Sequence, residues 1–513
     1  MSNLDQKTAE LAAKYRPLAA ELLAEVVRIP ADYVDRPVDD GGDPDCGLSN
    51  HEQPRLEYLK KRIVEIGAVR HADDVGFDDF GNLVWSVEDP DDGIAREDKR
   101  VVYFDGHSDT VKALRPAWIE RTGGLDSYDG LVDGSKIDRS FLRQELGHLP
   151  ADDEWEHLLF GRGSADQLGG VITEVVATKI MLELQSEGAL RGVIVRCYAT
   201  VCEEDNDGAG PMFLIRKELP GAGAERIPDV VVLTEGTGDA SKGALGIYRG
   251  QRGRMQIEVT VTGRSCHGSM PWEGKNPLEF GGAILAEAAQ KYDDRVGFLD
   301  DEFLGHGTRT ASWSELHTPS DCAVPESFVF RFDRRLTVGE MPDQAVADVE
   351  ALDAVKTARD AGLSVDVKIP TYEEPSWRGY RLNNPQVYMG WVTPEDHPAI
   401  QAAQTAYRGV ITPHVSDSSE EAGALRKEPR VDRWIFSTDG VGFPIPVEDE
   451  SIAVSEKKSW VVSGAVKHPA MFGLGPGIEQ NTHKIGECVD LRELQHAIAF
   501  AARFPSVFVD TAG

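Results

Sequence analysis

The chain has 513 residues, of which 41% are hydrophobic and 27% are charged. This composition is typical of a globular protein, and a chain of this length is expected to form two or more domains. Lys and Arg number 54 against 87 Asp and Glu, which gives a formal net charge of -33. Because such a surface repels phosphate backbones and anionic lipid, we expect neither nucleic acid nor a membrane as a partner.

The cysteines and the N-terminus indicate a reducing compartment. There are six cysteines and no CxxC pair, so neither a disulfide framework nor a structural zinc knuckle is expected. The N-terminal segment is charged and amphipathic and lacks the apolar core of a signal peptide. No run of eighteen apolar residues occurs anywhere in the chain. We therefore expect a cytoplasmic protein.

Buried strands alternate with helices in the first half of the chain. The spacing of apolar residues predicts helices over 7–28, 54–67 and 171–185, and strands over 82–87, from Val101, over 192–201 and over 229–234. A long polar excursion over 112–160 interrupts this alternation, and we expect it near the mouth of a functional pocket. The alternation predicts an α/β domain with a doubly wound, mostly parallel sheet.

The pattern changes after Ile247. Residues 254–263 alternate between apolar and polar with a period of two, as a strand with one wet face does. Further elements are predicted as helices over 277–292 and 343–361 and strands over 328–336 and 363–370. This content predicts an α+β domain over 248–392, inserted between residues 1–247 and 393–513 of the α/β domain. In that last part we predict a strand over 433–437, a glycine-rich turn over 472–477 and a helix over 491–504.

Candidate metal ligands stand just past the predicted strands and glycine-rich turns. They are His107 with Asp109, Asp166, the pair Glu203 and Glu204, Glu235, and His483. In open α/β sheets, ligands bind beyond the carboxyl ends of the strands. Zinc prefers this mixture of imidazole and carboxylate when two ions about 3.5–4 Å apart share a bridging carboxylate. Asp109 follows His107 by two residues and is placed to hold its imidazole ring from behind.

Two other kinds of chemistry fit the sequence poorly. The GPG at 475–477 is not followed by the Lys-Ser or Lys-Thr of a phosphate-binding loop. Ser108 and Cys202 lie beside candidate ligands, but neither has the elbow or histidine pattern of a catalytic nucleophile. Nucleotide binding and catalysis by a serine or cysteine nucleophile are therefore disfavoured.

A family resemblance covers roughly residues 54–504. The motifs that carry it are HSD at 107–109, GRGSADQLGG at 161–170, EED at 203–205, TEGT at 234–237, GRSCHGSMPWEGKNP at 263–277 and GPGIEQNTHKIGE at 475–487. In order and spacing they resemble those of the dizinc metallohydrolases of peptidase clan MH. That family contains carboxypeptidase G, aminoacylase, acetylornithine deacetylase and succinyl-diaminopimelate desuccinylase. The resemblance implies a zinc-peptidase-like catalytic domain and a ferredoxin-like lid and dimerisation domain over 248–392.

The resemblance also implies a role for each candidate ligand. Asp166 would bridge two Zn²⁺ ions in each subunit. His107 and Glu235 would complete one ion, and Glu204 and His483 the other. Glu203 would be the general base, and Asp109 would orient His107. Co²⁺ or Mn²⁺ in the same ligands stays open. Relatives often have a cis peptide after the bridging Asp, here the Asp166–Gln167 bond.

Residues outside the metal set are implied to bind the substrate. His267 would reach the active site of a second subunit and stabilise the oxyanion, which requires a homodimer or a higher homo-oligomer. Arg335 in FRFDRRL matches the position of a family arginine and could clamp a substrate carboxylate. Arg334 is the competing choice, and a structural ion pair with Asp333 or another nearby acid is a further alternative. Thr438 and Gly440 fall in the family's substrate-binding loop.

These features together predict an amide hydrolase. The expected substrate is an N-acyl amino acid or a related amide, with a slight preference for the deacetylase and desuccinylase branch from EGT, DRRL and FSTDG. One alternative is a dipeptidase or carboxypeptidase on the same scaffold, acting on a short peptide. An alternative of another class is a metal-binding assembly or regulatory subunit that has lost catalysis.

Overall fold

The computed structural model describes residues 2–31, 50–131, 137–150, 152–415, 423–452 and 458–512. Its helices are α1 (Asn3–Val27), α2 (Gln53–Glu65), α3 (Arg115–Thr122), α4 (Arg139–Glu145), α5 (Gly169–Glu183), α6 (Glu203–Asn206), α7 (Ala209–Phe213), α8 (Pro277–Asp293), α9 (Pro342–Glu350), α10 (Asp353–Asp360), α11 (Pro398–Val410) and α12 (Leu491–Ala512). Within these described segments, no helix combines the length and the apolar character needed to cross a membrane. Cys46 lies outside the described residues.

The strands are numbered in chain order in the same way. They are β1 (Val75–Phe77), β2 (Leu83–Glu88), β3 (Arg100–His107), β4 (Leu158–Phe160), β5 (Val193–Thr200), β6 (Val230–Gly238), β7 (Ile247–Gln251), β8 (Gly253–Thr262), β9 (Cys266–His267), β10 (Asp300–Asp301), β11 (Gly305–His306), β12 (Thr308–His317), β13 (Ala323–Val324), β14 (Ser327–Leu336), β15 (Ser364–Lys368), β16 (Thr371–Tyr372), β17 (Asn384–Pro385), β18 (Val387–Tyr388), β19 (Trp391–Val392), β20 (Val431–Trp434), β21 (Ile445–Pro446), β22 (Val461–Ser463), β23 (Val466–His468), β24 (Ala470–Ile478) and β25 (Cys488–Asp490).

The main sheet has nine strands in the order β1-β2-β5-β3-β6-β24-β7-β19, with β20 beside β7. The four central strands, β5, β3, β6 and β24, are parallel, and the strands outside them add mainly antiparallel pairs. Helices α1, α5, α11 and α12 pack together against one face. A second apolar cluster that includes Trp391, Trp434 and Phe443 covers the other face. Burial on both faces accounts for the near-continuous apolar runs of the central strands. The predicted α/β class is confirmed.

The inserted domain is built on a five-stranded antiparallel sheet. Its order is β12-β14-β8-β15, with β18 also paired to β8, and α8 and α10 contribute to its core. The predicted single helix over 343–361 was wrong, because α9 and α10 are separate helices. Leu352 between them is extended and buried, and the carboxylate of Glu287 accepts hydrogen bonds from the N–H groups of Asp353 and Ala354 at 3.1 and 2.7 Å. This cap starts a new helix at that point.

The chain crosses between the two sheets twice, and the two crossings touch. The outgoing chain runs from β7 directly into β8, and the returning chain runs from β18 into β19. A Cβ atom on Gly253 would lie 2.4 Å from the carbonyl oxygen of Tyr388, and one on Gly390 would lie 2.8 Å from the nitrogen of Gly253. Glycine at these positions allows the two connecting segments to pack closely.

The glycine-rich segment over 472–477 was predicted as a turn and is instead part of β24, in the centre of the main sheet. A Cβ atom on Gly473 would lie 1.8 Å from the ring of Trp434, and one on Gly475 would lie 1.8 Å from the carbonyl oxygen of Thr234. The glycines here provide space for neighbouring groups and do not reverse the chain.

The excursion over 112–160 was predicted to be irregular, but it contains α3, α4 and β4. Its apolar residues share a cluster with Ile485 and Cys488, which follow His483 in sequence. The backbone of His148 exchanges two hydrogen bonds with the side chain of Asn481, at 2.9 and 2.7 Å. β4 then pairs with β25 and leads directly towards Asp166. The described part of the excursion therefore packs beside the segments that carry His483 and Asp166, and its predicted position near the mouth of a pocket stays a prediction.

Candidate metal centre

The candidate ligands converge at the carboxyl end of the parallel strands. β3 ends at His107, β6 contains Glu235, and α6 begins just after β5. Two donor sets form there, and in each set one donor atom from every residue lies within 4.8 Å of those of the others. One set is His107, Asp166 and Glu235, and the other is Asp166, Glu204 and His483. These five residues are the ones that the resemblance implied, in the same two groups.

Asp166 uses a different oxygen towards each imidazole. Its Oδ1 lies 2.9 Å from Nε2 of His107, and its Oδ2 lies 3.0 Å from Nε2 of His483. Nε2 of His107 is also 3.5 Å from Oε2 of Glu235, and Nε2 of His483 is 3.2 Å from Oε2 of Glu204. A carboxylate that serves two donor sets at once has the placement of a bridging ligand.

The charge balance of the donor sets fits divalent cations. Each set supplies two carboxylates and one imidazole. Burial opposes charging of the imidazole, yet Asp166 and Glu204 raise the pKa of His483 to about 12. Burial likewise opposes ionisation of Asp166, yet hydrogen bonds with His107 and His483 hold its pKa well below the usual range. The buried carboxylates of both donor sets are stabilised by nearby positive charge. Divalent cations bound to nitrogen and oxygen donors can supply it.

The turn that presents Asp166 is held from below by a buried ion pair. The Asp166–Gln167 peptide bond is cis, as the resemblance implied. The Oε1 atom of Glu487 accepts hydrogen bonds from the N–H groups of Ala165 and Asp166, both at 3.1 Å. Its Oε2 atom lies 2.6 Å from Nη1 of Arg162, and both side chains are almost fully buried. Both residues lie within the family motifs quoted above, but the sequence analysis assigned no role to either of them.

Asp109 holds both a metal ligand and the start of a helix. Its Oδ1 lies 3.4 Å from Nδ1 of His107, and its backbone oxygen lies 3.2 Å from the same nitrogen. The same carboxylate accepts hydrogen bonds from the N–H groups of Glu203 and Glu204, at 3.2 and 2.9 Å. It therefore turns Nε2 of His107 towards the donor set and anchors the first turn of α6.

The helical geometry of α6 separates two adjacent glutamates. Successive side chains on a helix point about 100° apart, as the 3.6-residue period requires. Glu204 faces His483, whereas Oε2 of Glu203 lies 3.8 Å from Nε2 of His107. Burial raises the pKa of Glu203 well above its usual range, and Glu204 adds to the rise while His107 opposes it. A carboxylate of raised pKa beside the donor sets is suited to proton transfer.

A cavity of about 510 Å³ opens beside the donor sets. Its wall is formed by Asp166, Glu203, Glu204, Asp207, Glu235, Arg254, Arg335, Ile435, Phe436, Ser437, Glu479, Gln480, Thr482 and His483. Arg335 donates hydrogen bonds to Oγ of Ser437 at 2.9 Å and to Oδ1 of Asp333 at 2.8 Å. Arg334, the competing choice, is buried on the other face of β14 in an ion pair with Glu340 at 2.7 Å.

Thr438 and Gly440 lie beneath the cavity wall. Thr438 is 1% exposed, and its hydroxyl donates to Oε1 of Gln251 at 2.8 Å and accepts from the N–H of Gly440 at 3.2 Å. A Cβ atom on Gly440 would lie 2.6 Å from a side-chain carbon of Leu233. Ser437 therefore lines the cavity, whereas Thr438 and Gly440 stabilise the loop behind it.

Comparisons with known proteins agree with this arrangement. Residues 249–359 match the family model described as the peptidase dimerisation domain of the M20 family. The protein YgeY of Escherichia coli (strain K12), described as uncharacterized, is 31% identical over 475 residues, which cover 90% of this chain and 95% of the relative. A probable succinyl-diaminopimelate desuccinylase of Staphylococcus aureus (strain MRSA252) is 32% identical over 127 residues, 25% of this chain and 27% of that protein.

Solved structures have the same fold. The M20 family metallo-carboxypeptidase Sso-CP2 of Sulfolobus solfataricus superposes with a TM-score of 0.61 at 13% identity, covering 96% of this chain and 99% of that one. The di-peptidase Dug1p of Saccharomyces cerevisiae superposes with a TM-score of 0.63 at 12% identity, covering 99% of both chains. The chain belongs to the M20 metallopeptidase family, in clan MH. It is a hydrolytic enzyme, each of its two donor sets could hold a metal ion, and its dimerisation domain indicates homo-oligomerisation.

His267 of this M20 enzyme lies on an exposed turn of the dimerisation domain and belongs to neither donor set of its own chain. It stands on β9, which pairs with β13. The backbone N–H of Ser269 donates to its Nδ1 at 3.1 Å. Because an N–H group can only donate, Nδ1 must accept, and the ring proton of the neutral form is on Nε2. The histidine thus presents an N–H donor to whatever faces this surface.

Three charged residues of the M20 cavity wall were missed by the sequence analysis: Arg254, Asp207 and Glu479. Arg254 on β8 is directly paired with Arg335 on β14, so their side chains lie next to each other. Pairing the two predicted strands in this register would have found it. Asp207 lies 3.1 Å from Arg254, and its position just past α6 gave no recognisable signal.

Proposed function

We propose that this M20 enzyme hydrolyses the amide bond of an N-acyl amino acid or a closely related amide. The observation that carries the proposal is the position of Arg335, which lines the cavity together with members of both donor sets. Its Nε and Nη2 atoms donate to the two oxygens of Asp333 at 2.8 and 3.2 Å, which leaves the edge formed by Nη1 and Nη2 for a substrate carboxylate. The scissile amide of an N-acyl amino acid would then lie between this anchor and the donor sets.

Each residue of the site has a distinct part in the proposed reaction. Two divalent ions, which we propose to be Zn²⁺ with Co²⁺ or Mn²⁺ as substitutes, would be held by the two donor sets, lower the pKa of a water molecule and polarise the carbonyl. Glu203 takes the proton from the attacking water and delivers it to the leaving amine. Asp109 keeps Nδ1 of His107 protonated and its Nε2 free for the donor set. The products are a carboxylate and an amine.

We also propose that the competent unit is a homodimer. His267 would donate its Nε2–H to the oxyanion in the site of a second copy of the chain. Residues 248–392 would form the lid and dimerisation domain, and residues 1–247 and 393–513 the catalytic domain. Cytoplasmic residence is supported by the five cysteines among the described residues, all of which are unpaired.

A substrate panel tests the proposal. Zinc-loaded enzyme would be given N-acetyl, N-succinyl and N-carbamoyl amino acids, dipeptides, and the carboxamide counterpart of the best substrate. We expect acyl amino acids to be hydrolysed best and the carboxamide to lose activity, since it offers Arg335 no charge. Glu203→Gln should lower kcat about 10²–10⁴-fold while two metal ions per chain are retained, and Asp205→Asn in the same helix is the control. Turnover that survives in Glu203→Gln would refute the mechanism.

A dipeptidase is the second candidate, and one observation favours it. Asp207 and Glu479 also lie on the cavity wall, where a carboxylate could bind the free ammonium group of a peptide. Burial raises the pKa of Glu479 to about 7, so it can carry charge near neutral pH. Matched pairs of free and N-acetylated dipeptides separate the two candidates. Loss of activity on acetylation would support the dipeptidase.

A further inference from the structure

The short helix α6 carries two of the most important side chains of the site, and it is supported almost entirely from outside. It has only four residues, Glu203–Asn206, and a single helical turn is unstable without external contacts. Asp109 supports its first turn, as described above. Its last residue, Asn206, is buried and is held by residues on the segment that returns from the inserted domain.

Three residues of that returning segment surround Asn206. Together with Asn206 they form a group of four residues that we call the clasp: Asn206, Asn384, Gln386 and Tyr388. The side-chain oxygen of Asn206 accepts from Gln386 at 2.8 Å, from Asn384 at 3.2 Å and from the hydroxyl of Tyr388 at 2.6 Å. Its amide group donates to Oδ1 of Asn384 at 3.0 Å. All four residues are buried, so the side chain of Asn206 is locked in one orientation.

The clasp reaches the backbone of α6 as well. The hydroxyl of Tyr388 lies 2.5 Å from the carbonyl oxygen of Asn206. The next residue, Asp207, has a positive φ of 41° and lies 3.1 Å from Nη1 of Arg254 on β8. Tyr388 and Arg254 are paired residues of β18 and β8. Both crossing segments between the sheets therefore hold the end of the helix.

We propose that the clasp positions Glu203 and Glu204. Their positions would then depend on how the inserted domain packs against α6. A rotation of α6 about its own axis would move both side chains, and the clasp is what opposes that rotation at its far end. The four members are positioning residues, since they act through α6 and do not line the cavity. For its effect on catalysis, the inference rests on the hydrolase activity proposed above. Its effect on metal binding does not depend on that activity.

The main test uses Tyr388→Phe, with Tyr407→Phe as the matched control. Both tyrosines are buried and form a hydrogen bond through the hydroxyl, which in Tyr407 donates to the backbone carbonyl of Arg426 at 2.7 Å. Apoprotein would be titrated with Co²⁺ and followed by visible absorbance, which resolves the two donor sets as two binding steps. We expect Tyr388→Phe to weaken one step about ten-fold and leave the other within about two-fold, because only one set contains Glu204.

Hydrogen exchange and kinetics complete the test. Peptides covering residues 202–208 should exchange faster in Tyr388→Phe and at the wild-type rate in Tyr407→Phe. With an active substrate, kcat should fall about ten-fold with KM nearly unchanged. Gln386→Ala, which removes a single donor to Asn206, should change each quantity in the same direction but less. If the Tyr388 and Tyr407 variants behave alike, or both cobalt steps weaken equally, the clasp has only a structural role and the inference is wrong.

Failure of the proposed function would be recognised separately. The cobalt titration and hydrogen exchange need no substrate, so they decide the role of the clasp even if no amide is hydrolysed. Absence of turnover in the wild-type enzyme, together with an altered cobalt step in Tyr388→Phe, would refute the proposed function and support the clasp.

Discussion

The Oδ2 atom of Asp109 accepts a hydrogen bond from the backbone N–H of Glu204 at 2.9 Å, across 95 positions of the chain. The other oxygen of the same carboxylate lies 3.4 Å from Nδ1 of His107, which belongs to the other donor set. One buried side chain thus fixes a ligand of each donor set. These two contacts explain how Asp109, which is two residues from the ligand His107, can affect both donor sets.

We predict that Asp109→Asn weakens metal binding about 10–100-fold. An asparagine turns one NH₂ group towards N–H donors that need an acceptor, so it cannot serve both Glu203 and Glu204. Competition with a chelator would measure the affinity. Asp138→Asn is the control, because Asp138 also caps a helix, with its Oδ1 accepting from Ser140 and Phe141. Equal affinities in the two variants would contradict the prediction.

Arg335→Lys should raise KM about 10–100-fold for a substrate that carries a carboxylate, with kcat within a few-fold of wild type. Lysine keeps the charge but loses the planar fork that binds a carboxylate through two hydrogen bonds. Steady-state kinetics would measure both constants. Arg331→Lys is the control, since Arg331 lies on the same face of β14 and pairs with Glu258 at 2.9 Å. A lower kcat at unchanged KM would assign Arg335 a different role.

The donor sets were predictable because each ligand stands at the end of an apolar strand or beside a glycine-rich turn. Periodicity located those ends, and the order of motifs grouped His107, Asp166, Glu204, Glu235 and His483 as the structure does. Periodicity also predicted the sheets, because burial on one or both faces leaves its own pattern in the sequence.

The supports of the site were not predictable in this way. The Arg162–Glu487 pair and the contact of Asn206 with Tyr388 join residues 325 and 182 positions apart, and no local pattern links them. The glycines of β24 suggested a turn because their role, making room for Trp434 and Thr234, depends on tertiary neighbours. Substrate binding by Thr438 and Gly440 stays a prediction, and their neighbour Ser437 is the residue of this loop that lines the cavity.

His267→Ala should be nearly inactive alone, yet it should regain activity when mixed with Glu203→Gln. If His267 acts across a dimer, a mixed dimer contains one site with both residues intact. Random exchange of equal amounts gives half mixed dimers, so about a quarter of wild-type activity is expected. Mixing His267→Ala with wild type at matched concentration controls for dilution. Activity that stays at the level of the single variants would place His267 in its own subunit's site or outside catalysis.

The fully buried His468 should make the protein less stable below neutral pH. Its Nδ1 donates to the carbonyl oxygen of Pro469 at 2.7 Å, and its Nε2 lies 2.8 Å from Oγ of Ser463. Burial lowers the pKa of His468 from 6.5 to about 4, so the folded protein favours the neutral ring. The stabilisation is complete above about pH 6.5, where the unfolded chain is also neutral. It is lost as the pH falls towards 4, by about 3 kcal/mol in all.

Urea unfolding at pH 7, 5.5 and 4.5 would test this contribution. His468→Gln should be less stable than wild type at pH 7, because it loses the hydrogen bonds of the ring, but its stability should fall less steeply on acidification. His317→Gln, at an exposed position on β12, should keep the wild-type slope. The metal ligands titrate in all three proteins, so the difference in slope isolates His468. Equal slopes in wild type and His468→Gln would show that other groups cause the acid sensitivity.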